Sequence, residues 1–143
     1  MSPLERLQPL IGRWAVTMTF TPEYGIDPVS AEHELAWLLD GAFILQTSKA
    51  DDPRVPSGHA IIAPDGDRFA QHYFDSRGVV RHLAMDFDGT TWTSSREPDP
   101  PDFHQRSSVR VDPSGDTMSG TGEMHEDGAW RHDFDIVYTR ISG

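Results

Sequence analysis

Seven histidines in a chain without cysteine are the residues best suited to chemistry near neutral pH. An imidazole titrates near pH 6.5, so it can act as a general base, a hydrogen-bond partner, or a metal or haem ligand. Several specific chemistries lack their motifs. There is no His-Glu-x-x-His, no helical metal-ligand spacing, no Gly-x-Ser-x-Gly, no phosphate loop and no dinucleotide fingerprint, and no metal is assigned. Without cysteine, disulfide and thiolate chemistry are excluded. Most carboxylates fall in turns, where Asp serves backbone geometry, so a paired-carboxylate site is not expected.

Which histidines can meet is decided by strand parity, because successive side chains of a strand point to opposite faces. His33 shares a face with Val29, Ala31, Leu35, Trp37 and Leu39. His132 shares one with Trp130, Phe134, Ile136, Tyr138 and Arg140. Both are expected to point inward, with direct contact between them not expected. His59 has the parity of Ile61 and Ala63 and is read as inward near the same rim. His72 follows Ala70 and Phe74, a face that Tyr73 contests. His82, His104 and His125 are read as outward or loop-adjacent.

The elements that position these residues are short alternating strands. They are expected at 13–20, 29–39, 42–48, 57–63, 68–75, 79–87, 90–96, 104–111, 117–126 and 129–141. Asp40-Gly41, Asp88-Gly89 and Asp127-Gly128 are hairpin signals, because both central positions of that turn need positive φ. Gly120-Thr121-Gly122 reads as a bend or close contact within a strand. With an even number of strands in a meander, the last runs antiparallel to the first, and the ring can close. The fold expected is an all-β, about ten-stranded antiparallel up-and-down barrel, one domain over 1–143 with the barrel at 12–141. Residues 1–11 form a short N-terminal helix, with Ser2 as cap and Leu4, Leu7, Leu10 and Ile11 as its apolar stripe, plugging one end. Tight turns gather at the plug end. The long connections 21–28, 49–56 and Glu97–Asp102 gather at the other, where a mouth is expected.

Composition limits the partners. A formal net charge of -11 disfavours nucleic acid and anionic membrane surfaces, which need a basic footprint. No apolar stretch has the length of a bilayer span, and Met1-Ser2-Pro3-Leu4-Glu5 has no signal-peptide character. A cytoplasmic location is the expectation. A homodimer is the protein partnership left open.

Gly12-Arg13-Trp14, at the start of the first strand, resembles the Gly-x-Trp signature of the calycin superfamily, the lipocalins and fatty-acid-binding proteins. The resemblance implies a barrel in which Trp14 sits at the closed end and Arg140, late in the last strand, packs across it as a structural cation–π pair. The chain is also similar to a group of uncharacterised bacterial calycin-like domains. It shares their Trp-x-x-x-Gly step at Trp37 to Gly41, the late Asp-Gly-x-Trp at Asp127 to Trp130, and the Tyr138-Thr139-Arg140 ending. Nitrobindin-type haem barrels are a further comparison. The glycine-rich continuation of their opening motif is missing after Trp14, and their histidine motif has no unique counterpart, so no haem ligand is carried over and no cofactor is assigned.

The function these residues favour is binding of a small, largely apolar molecule with a polar group. Phe20, Trp37, Phe43, Trp130 and Tyr138 would supply the walls, His33 and His132 would fix the polar group, and His59 is a further candidate ligand-binding residue. Two alternatives stand beside it: an isomerase or cyclase with His33 or His132 as acid/base, and haem binding through an inward histidine. Whether the barrel is hollow or filled by its own side chains is left open.

Overall fold

Alternation across the pleat produces ten strands: β1 Gly12–Phe20, β2 Val29–Leu38, β3 Phe43–Ala50, β4 Gly58–Asp65, β5 Arg68–Asp75, β6 Val80–Phe87, β7 Thr91–Arg96, β8 His104–Val111, β9 Thr117–Glu126 and β10 Ala129–Ser142. The structure, a computed structural model, describes residues 3–53, 55–96 and 104–142. Each strand pairs antiparallel with its neighbours in sequence, and β10 returns to β1. The sheet is therefore a closed up-and-down barrel, and closure removes the free edges that would template pairing with other chains. Burial follows the pleat. On β1, Trp14 and Val16 are buried while Arg13, Ala15 and Thr17 are exposed.

Turn chemistry explains the joints. Asp127 and Gly128 have φ of 53° and 81°, as a two-residue primed hairpin between β9 and β10 requires. At Asp88-Gly89 only the glycine is left-handed. The Asp88 carboxylate there accepts the backbone N–H of Thr90 at 2.8 Å and of Thr91 at 2.7 Å, a side-chain solution to the same reversal.

The N-terminal segment Pro3–Leu10 is a 3-10 helix. With three residues per turn, Leu4, Leu7 and Leu10 stack in one line, and all three are fully buried against the barrel core. Pro9 lies inside the helix, where it has no N–H to donate. The expected cap at Ser2 and the loop Glu97–Asp102 lie outside the described residues. Two arginines hold the plug. Arg6 donates to the carbonyls of Phe87 (2.6 Å) and Asp67 and lies over the Phe69 ring at 4.4 Å. Arg140 donates to the carbonyls of Ile11 (2.7 Å), Pro9 (2.9 Å) and Gly115 (3.0 Å). Its guanidinium lies 4.1 Å from the centre of the Trp14 ring. The Trp14 indole N–H in turn donates to the Leu10 carbonyl at 3.1 Å.

One irregularity bears on the site. On β10, His132 faces Glu123 and Phe134 faces Gly122, so Asp133 is an extra residue without a partner on β9. This β-bulge is tied to the connection after β1. The Asp133 carbonyl accepts the Thr21 N–H at 3.2 Å, and its carboxylate accepts the Tyr24 hydroxyl.

Truncation of Arg140 removes charge-assisted bonds to the helix, to Ile11 just before β1 and to the β8–β9 turn at once. Arg140→Ala is expected to lower the unfolding free energy by about 2–4 kcal/mol, with Arg140→Lys intermediate, as measured by urea denaturation.

Candidate functional site

Inward positions change character at one height on five strands. Going from the plug end outward, Ile44 gives way to Gln46 and Ser48 on β3, and Phe69 to Gln71 and Tyr73 on β5. Met85 gives way to Leu83 and Arg81 on β6, Trp92 to Ser94 and Arg96 on β7, and Val109 to Ser107 and Gln105 on β8. The plug half is packed solid around Trp14, Leu35, Ile44, Phe69, Phe87 and Met118. The other half holds a cavity of about 270 Å³. Both readings left open by the sequence therefore apply, one to each half of the barrel.

The cavity wall is part apolar and part hydrogen-bonded. Met18, Leu83, Trp92, Phe134, Ile136 and Tyr138 supply ring and alkyl surface. Across it runs a polar band. The Trp92 indole N–H donates to Ser94 Oγ (3.1 Å), Ser94 Oγ to Gln71 Oε1 (2.5 Å), and Gln71 Nε2 to Gln46 Oε1 (3.0 Å). Gln71 and Ser94 are buried, and mutual hydrogen bonding is what makes that burial tolerable.

His33 stands in the same wall, its ring 5.4 Å from that of Tyr138. Its Nδ1 is buried and, among the described residues, has no hydrogen-bond partner. Burial pushes its pKa down to about 4, so the imidazole is neutral at pH 7. Burial also raises the Tyr138 phenol above its ordinary value. At the rim, burial and then the hydrogen bond to Asp75 push Tyr73 up to about 12. The Asp75 carboxyl is held well below the usual range, first by the Arg77 guanidinium, which donates to it at 2.7 Å.

Of the residues expected at the site, His33 and Tyr138 are the two whose side chains face the cavity together. Phe20 is inward but sits behind Phe134, ring centroids 6.2 Å apart. Trp37 is inward yet packs on the plug-side core, paired with Ile44. Four expected placements are corrected. Phe43 precedes the fully buried Ile44 on its strand and so points outward. His59 borders the cavity but is exposed, because on β4 it is Gly58, Ala60 and Ile62 that are buried. β4 carries apolar residues at both parities, so alternation does not mark its inner face. Trp130 and His132 lie outside because the bulge at Asp133 reverses parity along β10. Trp130 stacks on the outer wall with His125 and under Arg106, 3.9 Å away. His132 is exposed and faces Asp135 at 3.3 Å. His72 and His82 meet across β5 and β6, Nδ1 to Nδ1 at 2.9 Å, on the outer wall.

Gln46, Gln71, Ser94, Ser107 and Tyr73 were not foreseen as wall residues. Their signal was a polar side chain at an inward parity, on strands whose neighbours two positions away are apolar. The glycines of β9 fit the wall closely. A Cβ at Gly122 would fall 2.3 Å from the Phe134 ring, and one at Gly120 would fall 1.9 Å from the Ser108 carbonyl oxygen.

These features define a class: a closed ten-stranded antiparallel barrel, plugged at one end and hollow at the other. The fold is similar to that of "Rv2717c from M. tuberculosis", known from its crystal structure, with a TM-score of 0.69 over 98% of each chain and 17% sequence identity. At that identity the likeness is one of fold. No family model matches the chain, and no curated protein matches it. Among the described residues no helix is long and apolar enough to cross a membrane.

The His33 shift makes stability depend on pH. Its folded pKa lies below the value near 6.5 of the unfolded chain, so between about pH 6.5 and 4 the unfolded state binds the extra proton. The contribution is complete above pH 6.5 and is lost as pH falls through that window, at a slope of up to roughly 1.4 kcal/mol per pH unit. Urea midpoints of wild type and His33→Asn across pH 4–8 check this, the variant being expected to show the shallower acid limb.

Proposed function

We propose that the chain is a calycin-like barrel that binds a small, largely apolar molecule in the open half. The observation that carries this reading is the pairing, in one wall, of apolar surface with a buried imidazole nitrogen that has no partner among the described residues. An unsatisfied buried acceptor or donor is costly, and a ligand hydroxyl, carbonyl or amide in the cavity would complete it. The neutral form of His33 suits a hydrogen bond rather than an ion pair.

Volume sets the ligand's size. Pockets for drug-sized molecules run from roughly 300 to 1,000 Å³, so about 270 Å³ suits one or two rings. Burial of about 200 Å² of apolar surface contributes roughly 5 kcal/mol. Micromolar affinity then needs about 3 kcal/mol more from polar contacts, which the band from Gln46 to Ser94 and His33 would supply.

The test combines native mass spectrometry and a visible spectrum of freshly purified protein with binding of 2-naphthamide, read by tryptophan fluorescence. A retained colourless mass, or naphthamide binding that Ser107→Phe weakens by about tenfold or more through filling the cavity, supports the reading. A Soret band would move haem ahead of it. Binding that is indifferent to Ser107→Phe would place the ligand elsewhere and sink the proposal.

A further inference from the structure

We propose that His72 and His82 form a two-histidine chelate on the outer wall of the barrel, and that it takes a divalent transition ion, Cu(II) before Ni(II) or Zn(II). The site lies apart from the cavity and does not depend on what the cavity binds.

Register builds the pair. β5 and β6 run antiparallel, and His72 stands directly opposite His82. Both have outward parity, since Gln71 on β5 and Met85 on β6 are the buried residues. Residues so opposed keep their Cβ atoms about 4.5–5.5 Å apart. At that spacing the two Nδ1 atoms come to 2.9 Å, with the ring planes at 82° and the contact open to solvent. One ring must then donate and the other accept, so a single proton lies between two nitrogens. A metal ion is the other group this spacing suits. Imidazole nitrogens bind Zn(II) at about 2.0–2.1 Å, and two of them at right angles around one ion stand about 2.9 Å apart. The strands supply the separation, and a turn of the two rings aims both lone pairs at one centre. The shared proton moves to Nε2 of the donor ring, so both ligands stay neutral.

The donor set selects the ion. Ile61 lies opposite His72 on β4, and the Phe74–Val80 and Ala70–Ala84 pairs flank the histidines along β5 and β6. None of these five side chains offers an oxygen. Calcium and magnesium need shells of oxygen ligands, whereas imidazole suits copper, nickel and zinc. Two nitrogens at a right angle match the tetragonal preference of Cu(II), which also heads the general order of affinity. Among the described residues no group of three or more His, Asp or Glu is placed to hold a metal, so water completes the shell. Structural zinc sites are closed by four protein ligands; with two, this site is open and its ion exchangeable. The net charge of -11 favours a cation at the surface. Once bound, the ion would tie β5 to β6 from outside the wall.

The experiment titrates the chlorides of Cu(II), Ni(II), Zn(II) and Mg(II) into the full chain by calorimetry, with nitrogen couplings to Cu(II) read by electron paramagnetic resonance. His72→Gln, His82→Gln and the double variant are measured alongside, each with its metal-free urea midpoint, which is expected to match wild type because the side chains lie outside. Wild type is expected to bind one more Cu(II) per chain than the double variant, with two nitrogens coupled, and no Mg(II). Either single substitution should weaken this site by about tenfold or more, and the second should add little, because a chelate loses its effective concentration with its first ligand. Equal Cu(II) binding by wild type and double variant overturns the site and assigns the ion to other histidines or the amino terminus. A site lost with one histidine but indifferent to the other also overturns it, as does one that takes Mg(II) as readily.

Discussion

The stacking of Arg140 on Trp14 is the contact on which the rest of this barrel depends. A meander of ten strands closes only if its last strand finds its first, and these two residues face one another across that seam. The guanidinium lies on the indole face while its N–H groups reach the end of the 3-10 helix and the β8–β9 turn. One side chain therefore joins plug, seam and turn. Arg6 repeats the arrangement on the other side, over Phe69. With the plug held at two points, the leucines of residues 4, 7 and 10 fill the lower barrel, and the space left over collects at the opposite end.

That division explains the polarity of the interior. Below mid-height the inward residues are large and apolar, and the Trp14 indole N–H is satisfied by the Leu10 carbonyl. Above it, inward glutamines and serines satisfy one another in a band, and a desolvated histidine nitrogen remains unsatisfied among the described residues. Further out come arginines. The gradient from apolar floor to neutral polar wall runs along the axis of the barrel.

The strands were legible because their alternation is strong and their turns carry Asp-Gly or Pro-containing signals; β5 and β8 begin and end where the pattern places them. His33 was legible as inward because every second neighbour on β2 is apolar. His59 was not, because Ile61 and Ala63 make the outer face of β4 as greasy as the inner. Trp130 and His132 were not, because the extra residue at Asp133 is fixed by Tyr24 and Thr21 more than a hundred positions earlier in the chain. No local pattern carries that information.

The sequence by itself determined the class of fold, the number and order of strands, and the plug, since these follow from side-chain period, turn chemistry and the need to hide sheet edges. Only the tertiary structure decided which residues share the cavity. Register and the bulge at Asp133 set which face these side chains take, and shear brings together positions far apart in the chain. Both are properties of paired strands, not of any one strand. The polar band shows the difference: Gln46, Gln71 and Ser94, scattered in sequence, become one hydrogen-bonded run only when β3, β5 and β7 stand in one closed sheet.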